Sequence, residues 1–349
     1  MTDLHLVNKG LLTPLRDAQY HWDDNALQAA LNEVAQDALV HLCHPFGDIV
    51  GGQAFFDLAL SVVRAAFPDL ERRDWIIMSG SDEQGADWVG CAGHFVGTFC
   101  APFLDIPPTG HLAHMRFHEF YRIVDGTVAE IQAIWDIPEV MMQAGAWPLA
   151  PSLGRELWVP GPASGDGLFR SGRDLGQSQE NQQLVIDMLT QMTRHPSQGG
   201  AEVMQMERFW HRDMTWYGPA GIGTARGIAG FRNWHQIPFL RAMPDRGLKA
   251  DQVTHHFFAD NSYCGVTGWP NMIQTVTQDG WLGIVPPGRE IALRSLDFWR
   301  IERGKIRENW VLVDILDAYR QLGLDVFARL REFNKARVSG RIPFPVGDP

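Results

Sequence analysis

Apolar positions along the 349-residue chain fall into two successive series of the same kind. From Asn25 to Leu39 they recur at Leu27, Ala30, Leu31, Val34, Ala35 and Ala38, the spacing that lays one stripe along a helix, and Gln53 to Phe67 repeats it. Runs rich in aromatic and β-branched residues then predict strands over Trp75 to Met78, Trp88 to Phe99, Leu112 to Val124 and Val128 to Ile137. Asp125-Gly126 supplies a hairpin turn between the last two. The second series predicts helices near Asn181 to Met192, Ala201 to Trp210 and Ile228 to Met243. Strands follow at Val253 to Phe258, Tyr263 to Gln278, Glu290 to Glu302 and Lys305 to Val313, with Arg303-Gly304 at the matching turn. Helices ahead of mostly antiparallel strands describe an α+β unit, here predicted twice.

The two series align residue by residue. Laying Phe120 on Phe298, a shift of 178 positions, also matches Arg116/Arg294, Arg122/Arg300, Ile123/Ile301, Gly126/Gly304, Glu130/Glu308, Asp136/Asp314, Ile137/Ile315, Gln143/Gln321 and Gly145/Gly323. Solenoid repeats have periods of roughly 20–50 residues, so each copy here is expected to be a whole domain with its own core. The expected division is a first domain over 20–147, a linker over 148–176, a second domain over 177–333 and a peripheral tail over 334–349. The linker carries Pro148, Pro151, Pro160, Pro162 and six glycines without sustained periodicity, and is expected to run across a domain surface.

Composition narrows the functional classes. The chain is 45% hydrophobic and 20% charged, enough apolar surface for two cores. A formal net charge of −11, with no basic run, argues against nucleic acid as a partner. No stretch approaches the ~18 apolar residues of a membrane span, and the first residues lack a signal-peptide pattern, so a cytoplasmic, non-membrane protein is expected. Cys43, Cys91, Cys100 and Cys264 show neither CxxC spacing nor the density of a disulfide framework, and read as small buried residues. Neither a GxSxG elbow nor a GxxxxGK[ST] phosphate loop is present, which removes the common nucleophilic and nucleotide-binding readings. The 13 Trp and 19 Phe suggest aromatic-walled cavities as well as cores.

Three segments of the first copy carry a family resemblance: Gly93-His-Phe-Val-Gly-Thr-Phe99, Ile106-Pro-Pro-Thr-Gly110, and Glu119-Phe-Tyr-Arg-Ile-Val-Asp-Gly126 with Glu130. The second copy echoes them in Pro286-Pro287-Gly288, Asp297-Phe-Trp-Arg-Ile-Glu-Arg-Gly-Lys-Ile306, Glu308-Asn-Trp310, Trp216-Tyr-Gly-Pro219 and Arg226-Gly227. Together they resemble the SnoaL-like polyketide cyclases of the NTF2-like superfamily. The resemblance implies a cone-shaped α+β barrel in each half, a curved, mostly antiparallel sheet wrapped around helices with a pocket between them. It also implies pairing through the sheets, so that the halves form an internal pseudo-dimer; further homodimerisation is left open. The implied activity is cofactor-free acid/base proton transfer on a hydrophobic, carbonyl-bearing small molecule, leading to aldol cyclisation or isomerisation. A non-catalytic small-molecule-binding or structural protein is the alternative, since one fold hosts many functions.

The family places a pocket His and an acid/base Asp in a His-Trp-Asp on its last strand. The corresponding residues are Asn309-Trp310-Val311 and Ile131-Gln132-Ala133, so the Asp position is Val311 in one copy and Ala133 in the other. Asp297 and its counterpart Glu119, on the preceding strand, are the replacement candidates. Inward among Trp299 and Tyr121 they would be acid/base groups with raised pKa; outward they would pair with Arg294 and Arg116. Asn309 is a candidate hydrogen-bond donor to an enolate. Trp216, Tyr217, Trp269, Trp299 and Trp135 are candidate pocket walls, with core packing as the competing reading. His118 and His94 are candidate proton-transfer groups in the first pocket, against a hydrogen-bonded core histidine. Asp314 and Asp136 read as helix N-caps. His111, His114 and His118 sit on a strand and its loop in a spacing that does not converge, so no metal is expected, and the acid/base chemistry that the resemblance implies requires no cofactor.

Overall fold

The computed structural model describes residues 3–168, 172–278, 281–285 and 287–335. Pro286 and all but the first two residues of the expected 334–349 tail lie outside the described residues. Helices Leu4–Leu11, Thr13–Tyr20 and Asp24–Val34 come first, two of them ahead of the expected boundary at residue 20. Asp3 and Asp23 cap the first and third by accepting from backbone N–H groups of the opening turns. Strands β1 (Leu39–Leu42) and β2 (Gly47–Val50) follow, then a helix over 52–66 with a π turn at Phe56–Leu60. Four longer strands complete the first copy: β3 (Glu71–Ser81), β4 (Asp87–Thr98), β5 (Leu112–Val124) and β6 (Thr127–Trp135).

After a helix at Leu175–Met192, which begins inside the expected linker, the second copy runs in the same order. Strands β7 (Trp210–Tyr217) and β8 (Ala225–Arg226) precede a helix over 227–242, whose π turn at Arg232–Gln236 repeats that of the first copy. Then come β9 (His256–Asp260), β10 (Tyr263–Thr267), β11 (Met272–Val276), β12 (Arg289–Leu293), β13 (Ser295–Glu302) and β14 (Lys305–Val313). The sheets have the same topology: β2-β1-β6-β5-β4-β3 in one and β8-β7-β14-β13-β10-β9 in the other. All neighbours are antiparallel except β1 with β6 and β7 with β14. Both last hairpins turn through left-handed residue pairs, Asp125-Gly126 and Arg303-Gly304, the geometry of a two-residue hairpin loop.

The copies differ at one end of the sheet. The strands expected to run unbroken over Tyr263 to Gln278 and Glu290 to Glu302 are each interrupted, leaving β11 and β12 as a separate two-stranded ribbon. Pro270 has no N–H for the ladder. Asn271 takes over, donating from Nδ2 to the Ser295 carbonyl at 2.9 Å and accepting from Ser295 N–H at 3.0 Å.

The two sheets face one another. Phe120 and Phe298, equivalent residues, stack with ring centroids 4.8 Å apart at 25°. Each ring also lies over a glycine of the other sheet, since a Cβ on Gly90 would meet Phe298 at 2.8 Å and one on Gly265 would meet Phe120 at 3.1 Å. Beside the stack, the His118 Nδ1–H donates to the Leu296 carbonyl at 2.7 Å. Arg116 donates across the junction to the carbonyls of Tyr217 and Gly218 and to Asp136 in its own domain. Asp136 accepts from Ala220 N–H at 2.9 Å, and its counterpart Asp314 accepts from His44 N–H at 3.0 Å. Asp314 also caps its helix through Asp317 N–H; Asp136 holds the same cap position with its carboxylate turned to the other domain. The connecting segment crosses the same junction, where Pro160 accepts from the Trp310 indole and Gly167 from Ile77 N–H. One buried apolar cluster runs through both domains.

Truncating this stack should be felt by the whole molecule. Phe298→Ala is expected to lower the free energy of unfolding by about 3–5 kcal/mol, measured by urea denaturation; a loss under about 1 kcal/mol would show that the sheets do not lean on the stack.

Candidate active site in the second domain

Alternation on β13 sends Phe298 to the other sheet, with Arg300 on the same face paired to Glu308 of β14, and Asp297 and Trp299 to the concave side of their own. There they meet Asn309, Val311 and Val313 of β14, Trp216 of β7, and His235 and Gln236 of the π turn. These residues, with Phe231, Phe239, Arg246 and Trp281, line a cavity of about 420 Å³, a volume suited to a ligand with a ring system. The Trp216 indole stacks flat on His235, centroids 4.1 Å apart at 12°, making one continuous wall.

The cavity is mostly apolar, yet several polar atoms point into it without a protein partner. Asp297 Oδ1, Trp299 Nε1, His235 Nδ1, Trp281 Nε1 and the side-chain amide of Gln236 are all buried and unbonded among the described residues. Burial raises the Asp297 pKa to about 8, against the opposing pull of the Ser295 hydroxyl and the Arg246 charge. Burial also lowers His235 to about 3, with Arg246 adding to the effect, so that ring stays neutral. The site therefore offers a carboxyl that titrates near neutrality between aromatic walls.

In the first domain the equivalent carboxyl is spent. Glu119 accepts from Arg72 Nη1 at 2.6 Å, from the Tyr121 hydroxyl at 2.6 Å and from the Trp135 indole at 3.1 Å. Arg72 also bonds Gln19 and lies over the Phe117 ring, with its guanidinium carbon 4.1 Å from the centroid. The π turn of this copy presents Ala59 and Leu60, both buried in the core, at the positions of His235 and Gln236. The same backbone thus holds a filled interior in one copy and a polar-studded hollow in the other.

Several sequence candidates fall elsewhere. Tyr217 follows Trp216 on a strand and so faces the opposite way, stacked on Trp310 at 5.5 Å and 21°. Trp269 lies beyond the end of β10, stacked on His41 at 5.6 Å with the Arg294 guanidinium over it, in the domain junction rather than the cavity. His118 and His94 share the parity of Phe120 and Gly90, which places both in the junction, not in the first domain's interior. Trp135 does lie in that interior, bonded to Glu119. Asn309 lines the cavity, but its Nδ2 donates to the Phe298 carbonyl at 3.0 Å, which turns the donor away from a ligand.

His235, Gln236, Arg246 and Trp281 were not among the candidates. Phe231, His235 and Phe239, spaced by four, form one face of a helix, and a histidine on that apolar stripe was the readable signal. The junction also assembles His94, His114 and Glu139, whose ligand-type atoms lie within 4.8 Å of one another. The Trp75 indole N–H donates to His94 Nδ1 at 3.3 Å, which leaves the proton on Nε2 and gives a cation no lone pair there. Glu139 in turn accepts from Arg116 N–H and faces His114.

The model of the SnoaL-like polyketide cyclase family matches residues 15–144 and again 199–322, well over half of the chain. The chain belongs to this family, as two tandem copies. No curated protein sequence matches it. Among solved structures it is similar to IdmH of Streptomyces antibioticus, named as a candidate polyketide cyclase, at 23% identity and a TM-score of 0.34, covering 40% of this chain and 98% of that one. AclR of Streptomyces galilaeus, named as a candidate hydroxylase, matches at 21% identity and a TM-score of 0.34 over 41% and 84%. An NTF2-like protein of Burkholderia thailandensis matches at 15% identity and a TM-score of 0.31 over 40% and 96%.

The buried carboxyl gives a stability signature. An aspartate whose pKa is raised on folding contributes fully below its unfolded value near 3.8, and that contribution is lost as pH rises toward about 8. Asp297→Asn removes this loss, so the variant should gain on wild type by about 2–5 kcal/mol between pH 4 and pH 8, measured by denaturant melts at both pH values.

Proposed function

We propose that the second domain binds a hydrophobic, carbonyl-bearing small molecule and catalyses cofactor-free proton transfer on it, with Asp297 as the acid/base group. The observation that carries this reading is a carboxyl with a raised pKa, one oxygen unbonded, set among Trp216, Trp299 and Trp281 in a cavity of about 420 Å³. Its ionised form takes a proton from carbon next to a carbonyl. The electron pair moves into an enolate, whose oxygen Trp299 Nε1–H and Gln236 are placed to hold in place of Asn309. Where the bound chain folds back on itself, the enolate carbon attacks a second carbonyl and forms the new C–C bond. Asp297, now protonated, returns its proton to the resulting alkoxide, so the cycle closes without an oxidant or metal. Without a second carbonyl, return of the proton to a different carbon is an isomerisation.

Val311 occupies the position of the family's catalytic Asp, across the ladder from Asp297. The shift of the acid to the neighbouring strand keeps a carboxyl on the same concave face, which supports conserved chemistry from a different residue. The first domain, with Glu119 bonded three ways, is read as the structural partner.

The reaction class can be tested without the natural substrate. Wild-type protein is expected to accelerate solvent-deuterium exchange at the acidic CH₂ of 2-tetralone, followed by NMR, with a rate that rises with pH and levels off near 8. Asp297→Asn should lower that rate by about 10²–10⁴-fold and flatten the pH profile. Binding of the ketone without catalysed exchange would instead mark a ligand-binding protein.

A further inference from the structure

The charge inside the cavity is unbalanced. Five titratable side chains line it: Asp297, His235, His255, Arg246 and Lys249. Lys249 is paired with Glu290 and with Asp245, so its ammonium is compensated at the rim. His235 is neutral and Asp297 mostly protonated. The remaining ring, His255, is held by burial below its ordinary value and adds no charge that would offset a cation. Arg246 is the exception. It lines the cavity in the turn after the helix over 227–242, and its side chain makes no ion pair or hydrogen bond with any described residue. The Phe239 ring centroid lies 5.9 Å from its guanidinium carbon, and Asp297 and His235 feel its charge electrostatically.

A guanidinium in an apolar setting is costly unless an anion meets it with paired hydrogen bonds. Among the described residues the buried arginines meet that condition within the protein: Arg72 has Glu119 and Asp74, Arg116 has Asp136, and Arg300 has Glu308, whereas Arg246, half-buried at the cavity, does not. Asp297 acts on Arg246 only through its electrostatic field, not through a hydrogen-bonded ion pair. The planar fork of an arginine matches a carboxylate two bonds to two. Trp216 and His235 form a flat wall in the same cavity, against which a ring would lie.

We infer that the ligand of the second domain carries a carboxylate as well as its hydrophobic ring system, and that Arg246 is the residue that binds this anion. The inference rests on the small-molecule reading above and adds the charge of the ligand to it. Arg246 anchors one end by its fork, the aromatic walls hold the ring system, and the carbonyl-bearing part is left beside Asp297.

Isothermal titration at pH 7 with 2-naphthoic acid, its methyl ester and 2-naphthamide tests this directly. The acid should bind wild-type protein about 10- to 100-fold more tightly than either neutral analogue. Arg246→Gln should erase that preference and Arg246→Lys should retain part of it, with far-UV circular dichroism confirming the fold of both. Equal affinity for acid and ester would overturn the anionic ligand while leaving the hydrophobic site intact. No binding of any of the three would overturn both readings. Equal affinities together with loss of tetralone exchange in Arg246→Gln would place the guanidinium on the enolate instead, which also overturns the proposal.

Discussion

The face-to-face contact of the two sheets is the constraint from which the rest follows. A strand has two faces, and residues alternate between them. Once the face carrying Phe120, Arg116 and His118 is committed to the other domain, the face carrying Glu119 and Tyr121 must look into its own cone, and the same holds for Phe298 against Asp297 and Trp299. The stack fixes more than adhesion. With Gly90 and Gly265 beneath the rings, the sheets approach closely enough for Arg116 and Asp136 to reach backbone groups of the second domain. A one-residue slip of β13 would move Asp297 into the junction and Phe298 into the cavity.

This explains what could be read from sequence and what could not. The repeat, the hairpin turns at Asp125-Gly126 and Arg303-Gly304, and the long strands of the first copy follow from local pattern, which needs no knowledge of the partner domain. Parity was also legible within a strand, but not which parity faced inward, because β5 is buried on both faces from Met115 to Tyr121. His118, His94 and Tyr217 were candidates by chemical type and fall in the junction for that reason. The split of the long strands at Pro270 and the short β1, β2 and β8 are tertiary choices on weak local signals. His235 was legible as a histidine on the apolar stripe of Phe231 and Phe239, whereas Gln236, one position on, enters the cavity through the π turn, which simple helical spacing does not anticipate.

The two interiors show how one backbone supports opposite electrostatic outcomes. Glu119 and Asp297 occupy equivalent positions, yet the former meets a guanidinium, a phenol and an indole within hydrogen-bond distance, while the latter has an unbonded oxygen. Three hydrogen bonds hold the Glu119 carboxyl in place, whereas burial raises the pKa of Asp297 and leaves one of its oxygens free for transfer. The difference is made by neighbours rather than by the acid itself. Arg72 comes from β3 and is supported by Gln19 of the second N-terminal helix, so the helices that precede the first cone help to fill it.

A hollow of about 420 Å³ carries a stability cost that the rest of the fold must offset. A single cone with such an interior forgoes the packing contacts of a filled core and carries buried polar atoms that no described residue bonds. Joined to a filled copy through a continuous apolar cluster and a connector that bonds to both sheets, it need not be self-sufficient. The duplicated architecture therefore separates two demands that conflict in one domain: dense packing resides in the first cone and the junction, and the second cone is left free to keep an acid with one unbonded oxygen and a guanidinium that pairs with no described residue in a space shaped for something else.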